Sequence, residues 1–166
     1  MFGFIKRFLH RKSIEKIRLK GEIVLRKIDR KGRVIEERRI RNLIVNVGKA
    51  QIAGLINGIV TSPFKYVAIG TGTTAESSSD TGLEAEIARK QATVSRKTTN
   101  VTNDTSVWEV TFSSEDGLSG TSSVTEAGIF DSSTGGNMLS RKTFSAVNLD
   151  WDAGDSLQIT WEITVQ

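Results

Sequence analysis

The chain has 166 residues, which is enough for one domain with a hydrophobic core and an appendage. It contains no cysteine, which excludes disulfides and thiolate metal sites, and its one histidine, His10, offers little basis for a His-dependent catalytic triad. The net charge of +4 is unevenly divided, because residues 1–41 carry 15 Lys/Arg and 5 Asp/Glu, whereas residues 42–166 carry 8 and 14. This predicts a basic arm on a mildly acidic body.

The first predicted element is an N-terminal arm, residues 1–20. Its first apolar side chains follow helical spacing, which indicates a short amphipathic helix or an arm that orders on a partner. No run reaches the roughly 18–20 apolar residues of a membrane helix, and the opening lacks the long apolar region and cleavage site of a secretory signal. The candidate partner-binding residues of the arm are Phe2, Phe4, Ile5, Lys6, Arg7, Phe8, Arg11, Lys12, Lys16 and Arg18.

Three kinds of partner suit this arm: nucleic-acid phosphates, an anionic membrane surface or an acidic protein surface. A solvated tail kept for solubility is a fourth interpretation. Exposed phenylalanines cost solubility unless something covers them, and arms that bind only nucleic acid more often lack an apolar stripe. The stripe that includes Phe4, Phe8 and Leu9 therefore favours a protein partner.

The remainder, residues 21–166, is predicted to be a β-rich domain. Residues 21–41 indicate a β-hairpin, because Gly32 can supply the positive φ that a short connection after Asp29 needs. Arginines and glutamates alternate with β-branched residues in both halves, which suits a strand pair with one face in water. The body of the domain is residues 42–166.

Two short helices are predicted in the body. Asn46 is a suitable N-cap for a helix that ends near Gly58, and its small residues indicate close packing on a sheet. A second helix is predicted over Thr81–Arg89, where Leu83 and Ile87 fall on one face.

The rest of the body is predicted to be β-strands separated by turn-rich connections such as Asp131–Asn137 and Asp152–Asp155. Strands at this spacing indicate a mainly β fold, either a β-sandwich or a small barrel-like domain. The predicted strands are Phe64–Ile69, Val107–Phe112, Ser123–Phe130, Met138–Phe144 and Leu157–Val165.

The glycine pair in "IGTGTT" superficially resembles a phosphate-binding loop. A phosphate loop needs Gly-Lys-Ser/Thr directly before a helix, and a dinucleotide fingerprint needs a third glycine in a βαβ unit. Gly70 and Gly72 are followed by neither, and the predicted helix starts about nine residues later, too far for its N-terminus to hold a phosphate. We therefore predict a strand that ends in a turn.

Other groups with chemical potential are pairs of acids and three tryptophans. The pairs Glu84/Glu86, Glu115/Asp116 and Asp150/Asp152 lack EF-hand spacing, and loop acids are usually solvated; Asp150, Asp152 and Asp155 are the best calcium candidates among them. No Gly-x-Ser-x-Gly motif is present, so we expect no enzyme activity and no cofactor. Trp108 and Trp161 lie in alternating strands and are predicted to be core or inter-subunit packing residues, whereas Trp151 beside a turn is ambiguous.

Three stretches resemble structural proteins of tailed bacteriophages and prophages: "RKIDRKGRVIEERRIRNLIVNVGKAQIAGLI", "FKYVAIGTGTTAESSSDTGLEAEIAR" and "VTEAGIFDSSTGGNMLSRKTFSAVNLDWDAGDSLQITWEITV". In that family an Asn-Leu-Ile/Val segment leads to a helix, an "aIGtGtt…sDT-L-E-E-R" block follows, and a "tEaGiFd…gG-mlsR-tFs" block precedes a final strand. The resemblance covers residues 21–166. It implies no catalytic residues, and it implies that Glu126 to Phe130 determine the fold.

The resemblance and the composition together predict a non-enzymatic virion protein that assembles as a homo-oligomer, a trimer. The first hypothesis is a head decoration (cement) protein whose arm grips the major capsid protein or another virion protein, assembled in the host cytoplasm. The second is a tail, neck or fibre component. The third is a carbohydrate- or nucleic-acid-binding module, although we favour neither nucleic acid nor membrane as the partner.

Overall fold

The computed structural model describes residues 16–166, which form two five-stranded antiparallel sheets packed face to face. The mainly β fold and the β-sandwich predicted from the alternating sequence are confirmed. An α-helix, α1 (Asn46–Asn57), and a 3-10 turn, Ser114–Asp116, accompany the sheets. The strands are β1 (Leu19–Ile28), β2 (Val34–Arg41), β3 (Leu43–Ile44), β4 (Tyr66–Gly70), β5 (Glu86–Gln91), β6 (Thr93–Lys97), β7 (Thr105–Phe112), β8 (Thr121–Phe130), β9 (Met138–Asp150) and β10 (Ser156–Val165).

At both edges of the sandwich, a short connection links an edge strand of one sheet to an edge strand of the other. The first sheet has the order β2-β1-β10-β7-β6, and the second has the order β3-β9-β8-β4-β5. The edge strands β2 and β3 are consecutive in the chain and join through Asn42, while β5 and β6 join through Ala92. Strands that switch sheets in this way form the corners of barrel-like sandwiches.

The core lies between the sheets and follows from the period-two alternation of the strands. In β1, Ile23 and Leu25 point inward, and their register partners on β10 are Trp161 and Ile159. All four are essentially fully buried. Each side chain of this kind stabilises the fold by about 1.5–3 kcal/mol relative to exposure, so the central strands β1 and β10 anchor the first sheet.

The β1–β2 hairpin forms as predicted, with the connection at the expected residues. Gly32 has a φ of +76°, which a residue with a side chain adopts only with strain. The Asp29 carboxylate accepts hydrogen bonds from the backbone N–H groups of Lys31 and Arg33. The N–H of Arg33, together with its side chain, lowers the pKa of Asp29 to about 2.

The helix α1 begins one residue earlier than predicted. Val45 occupies the N-cap position and Asn46 is the first helical residue, so the predicted Asn46 cap is wrong. The reason is that the backbone of Val45 is fixed to β9 through a hydrogen bond to Leu139 O, which sets the start of the helix. The helix ends as predicted, at Gly58, which has a φ of +76°.

The second predicted helix, over Thr81–Arg89, is wrong. Residues 81–85 form a loop, and the chain then continues as β5, which pairs with β4 in the second sheet. A short amphipathic spacing is a weak signal, and here the edge of β4 and a buried carboxylate provide better partners for the backbone. Leu83 packs against a small apolar cluster, while Ile87 remains 37% exposed.

Candidate functional site

The glycine turn surrounds a buried carboxylate that belongs to the protein itself. Glu126 of β8 is fully buried, and its Oε1 accepts hydrogen bonds from the N–H groups of Gly72 (3.0 Å) and Ala85 (2.7 Å). Its Oε2 accepts one from the N–H of Glu84 (3.1 Å). The backbone donors that could have held a phosphate are therefore occupied by Glu126, in agreement with the interpretation of this motif as a turn.

The two glycines of the turn are needed for space. A Cβ on Gly70 would lie 2.5 Å from Ala85 O and 2.6 Å from Glu126 Oε1. A Cβ on Gly72 would lie 2.5 Å from the Cβ of Glu84 and would also overlap Oε1 of Glu126. Neither glycine has a positive φ, so close approach of the backbone to the carboxylate is what requires them.

Arg141 of β9 completes this arrangement. Its Nε and Nη2 donate to Oε2 of Glu126 at 3.0 and 2.9 Å, and its Nη1 donates to Oδ2 of Asp80 at 2.7 Å. Nη2 also reaches the carbonyl of Thr74 at 3.1 Å. Burial opposes the charge on Arg141, but the hydrogen bonds to Asp80 and Glu126 outweigh it and raise the pKa of the guanidinium. We call Glu126, Arg141, Asp80 and their backbone donors the Glu126 network.

The Glu126 network fastens residues 71–85, the cover loop, onto the outer face of the second sheet. Register places Glu126 on the same face as Phe130, whose ring lies 3.6 Å below the Arg89 guanidinium. Leu83 of the cover loop packs beside Phe130 and Met138. One face of this sheet thus meets the core and the other is covered by the loop.

Two further acids fix the cover loop. Glu76 accepts hydrogen bonds from Lys142 and from the N–H and hydroxyl of Thr143. Although burial opposes ionisation, these bonds lower the pKa of Glu76 to about 2. The carboxylate of Glu84 accepts the N–H and hydroxyl of Thr74, and the N–H bond in particular lowers the pKa of Glu84. Glu86, the other member of this predicted acid pair, forms an ion pair with Arg89 at 2.6 Å, so both carboxylates have partners within the domain.

In each of the other acid pairs, one carboxylate is held by partners within the domain, and so is the nearby Asp155. Asp155 forms an ion pair with Lys27 at 2.8 Å, and Asp150 accepts the N–H of Ala153 at 3.0 Å. Asp116 caps the 3-10 turn and pairs with Lys90. Among residues 16–166, no group of three or more His, Cys, Asp or Glu side chains is arranged to hold a metal ion. The calcium candidates Asp150, Asp152 and Asp155 are not brought together as such a group.

The three tryptophans are buried. Trp108 is 6% exposed and donates its Nε1–H to Phe64 O, and Trp151 donates to the hydroxyl of Ser122. Trp161 is fully enclosed at the centre of the first sheet. The core assignment of Trp108 and Trp161 is confirmed, and Trp151 is a core residue as well.

The predicted arm is described only at its end. Lys16 and Arg18 are exposed, and the main chain of Arg18 pairs with Gln166 beside β10. Strand β1 begins at Leu19, within the last two residues assigned to the arm. The other candidate arm residues, Phe2, Phe4, Ile5, Lys6, Arg7, Phe8, Arg11 and Lys12, lie outside the described residues.

An apolar groove, which we call the end groove, opens where β1 begins and β10 ends. Its volume is about 500 Å³. Trp108 and Val94 line one side, Ile52 and Leu55 of α1 also contribute, and Leu19 lies at the start of β1. Sequence reasoning missed both this groove and the Glu126 network.

No helix in the described part of the chain is long and apolar enough to cross a membrane.

The sequence matches the family model described as podophage GP4 fiber I protein gp80 over residues 50–165. The chain belongs to this family. The predicted resemblance to structural proteins of tailed-phage virions is thereby confirmed, and the gp80 family member described here is a phage structural protein. No curated protein and no solved structure matches it.

Proposed function

We propose that this gp80 family member is a non-enzymatic component of the fibre or tail of a phage particle. The observation that carries the proposal is the family match, because the family is described by a fibre protein and the match spans residues 50–165. All residues of the Glu126 network lie within that range. Gly70, Gly72 and Glu84, which were considered as possible chemical groups, instead hold the cover loop in place, which suits a structural role.

The protein is further proposed to act as a homo-oligomer, a trimer, within the virion. Several large apolar side chains of the described domain are exposed, and exposed apolar surface is typical of assembly contacts. Ile56 and Ile59 at the end of α1 are 77% and 82% exposed, and Val34 and Ile35 on the edge strand β2 are about half exposed. Sedimentation equilibrium of the purified chain tests this stoichiometry, and a monomer at all concentrations would contradict it.

The N-terminal arm is proposed to contact a neighbouring virion protein. Its cations suit an acidic protein surface, and its phenylalanines suit an apolar groove on that surface. Removing residues 1–15 leaves β1 complete, so the truncated protein should fold but enter particles less efficiently. Full occupancy of particles by the truncated protein would contradict the role of the arm.

A head decoration protein is the second candidate. The feature that favours it is the basic arm on an acidic body, which suits attachment to a shell of capsid subunits. The two candidates are separated by a cryo-EM reconstruction of particles that carry an added C-terminal domain on this chain. Extra density on the fibre or tail supports the first proposal. Density repeated over the head shell would replace it with the second.

A further inference from the structure

The end groove is an apolar surface that nothing in the described part of the chain covers. Its volume of about 500 Å³ lies within the range of roughly 300–1,000 Å³ typical of sites that enclose a small ligand. The residues that line it come from several strands, from α1 and from the segment before β4, and they include the core residues Phe64, Trp108 and Ile163, so the groove is an open end of the core. Val94 and Val165 at its rim are each 47% exposed.

The N-terminal segment leaves the domain at the rim of this groove. Leu19 and Val165 are register partners, and both line the groove. Fifteen residues precede the described part. Among them, residues 2–9 carry the apolar stripe, and we call residues 2–9 the leader. The nine residues 10–18 that connect the leader to β1 span up to about 30 Å when extended. A domain of this size has a radius of gyration of about 15 Å, so the leader can reach the groove without strain.

We propose that the leader of each chain covers the end groove of the same chain in the unassembled protein. The lining of the groove is apolar, the leader is the apolar part of the arm, and apolar surface is costly to expose to water. A tethered segment acts at an effective concentration near the millimolar range, whereas a second copy competes only at its own concentration. Helical spacing in the sequence predicts Lys6 and Arg7 off the stripe, which would let the leader bury its apolar side and keep these cations in water.

The contact between leader and groove belongs to the protein before assembly, so it does not depend on where in the virion the protein lies. It gives the phenylalanines two alternative sites, the end groove before assembly and a neighbouring protein afterwards. Release of the leader would then be a step of assembly.

Engineered cysteine pairs test the contact directly, since the natural chain has no cysteine. One pair joins the leader to the groove rim, Gly3→Cys with Val94→Cys. The control pair, Gly3→Cys with Thr111→Cys, places the second thiol on β7 at an exposed position on the outer face of the first sheet. Titration with glutathione gives the effective concentration of the two thiols in each protein.

The groove pair should form an intramolecular disulfide with an effective concentration about tenfold or more above that of the control pair. Equal values for the two pairs would overturn the proposal, because they would mean that the leader samples both faces alike. A disulfide-linked dimer as the main product of the groove pair would also overturn it, in favour of a second copy as the occupant.

Quenching of tryptophan fluorescence by acrylamide provides an independent readout. Trp108 lines the end groove, whereas Trp151 and Trp161 do not. Phe4→Ser with Phe8→Ser in the full chain should increase quenching, and the matched pair Lys6→Ser with Arg7→Ser should leave it unchanged. The increase should vanish when Trp108→Phe is added. Equal quenching in both double variants, with unchanged circular dichroism, would overturn the proposal.

Discussion

Arg141→Met is the sharpest test of the Glu126 network. The substitution keeps an unbranched side chain about as long as the stem of arginine but removes the guanidinium that donates two hydrogen bonds to Glu126 and one to Asp80. The Arg141 side chain is 3% exposed and that of Glu126 is fully buried, so water does not replace the lost donors. Leaving a buried charge without its partner costs about 3–5 kcal/mol. We expect a loss of this size in the free energy of unfolding.

Urea denaturation followed by tryptophan fluorescence measures this loss, because all three tryptophans are buried in the described domain. For a domain of about 150 residues, each kcal/mol shifts Tm by roughly 2–4 °C, so a fall of about 6–20 °C should accompany it. Hydrogen exchange should show the largest loss of protection at the backbone N–H groups of Gly72, Glu84 and Ala85, which donate to Glu126.

Lys142→Met is the matched control for this experiment. Lys142 is the next residue in β9 and also pairs with an acid of the cover loop, Glu76, but its side chain is 24% exposed. Partly exposed ion pairs contribute about 0–1 kcal/mol, so we expect a small effect. If Arg141→Met costs less than about 1 kcal/mol, or no more than Lys142→Met, the reasoning about the buried pair is refuted.

Three further predictions concern positions with a single physical cause. Gly48→Ala should cost about 1–3 kcal/mol in urea denaturation, because a Cβ would lie 2.7 Å from the Cα of Leu139 on a rigid strand. Gly58→Ala should lower stability by about 1 kcal/mol, because φ is +76° there although space is available; an unchanged Tm would contradict this. Against the opposing effect of burial, the hydrogen bonds from Lys142 and Thr143 lower the pKa of Glu76 from 4.5 to about 2, so its contribution to stability is complete above pH 4.5 and is lost as the pH falls towards 2. Glu76→Gln should flatten the loss of stability between pH 5 and pH 2, and parallel urea midpoints for both proteins across that range would refute it.

The parts of the fold that follow from local patterns could be predicted from the sequence. Alternation of apolar and polar residues predicted four strands of the first sheet, β1, β2, β7 and β10, but not the edge strand β6. The glycines at positions 32 and 58 marked the end of a turn and the end of a helix because they adopt positive φ. The Asn46 cap failed because a backbone bond to β9 fixes the preceding residue. The helix predicted over Thr81–Arg89 was wrong because the backbone of this segment pairs with β4 and with the Glu126 carboxylate, which are distant in the sequence.

The Glu126 network could not be derived from local patterns because it joins residues that are distant in sequence. Gly72 and Glu126 are 54 positions apart, and Asp80 and Arg141 are 61 apart. One signal was available: Glu126 stands beside the apolar run Ala127-Gly128-Ile129-Phe130, and a charged residue in such a strand needs a partner if both faces are covered. The missing information was that the cover loop makes the outer face of the second sheet a buried one.

A buried ion pair is weak evidence for stability, since apolar residues of the same volume can serve as well. Its value here is better explained by specificity. The carboxylate of Glu126 accepts hydrogen bonds from five N–H groups, and three of these belong to the backbone of the cover loop. A shift of the cover loop by one residue would leave several of these groups unpaired. An apolar patch would tolerate such a shift. We infer that the network selects one conformation of the cover loop.

The part of the chain outside the family match is nevertheless integral to this domain. The match begins at residue 50, so strands β1, β2 and β3 precede it. Yet β1 lies inside the first sheet, where it pairs with β10 along its whole length and contributes Ile23 and Leu25 to the core. Without β1, the inward face and the edge of β10 would both be open, and an exposed apolar edge strand is prone to pair with other chains. The N-terminal region of this protein is therefore at once the strand that completes the sandwich and the point from which the proposed arm departs.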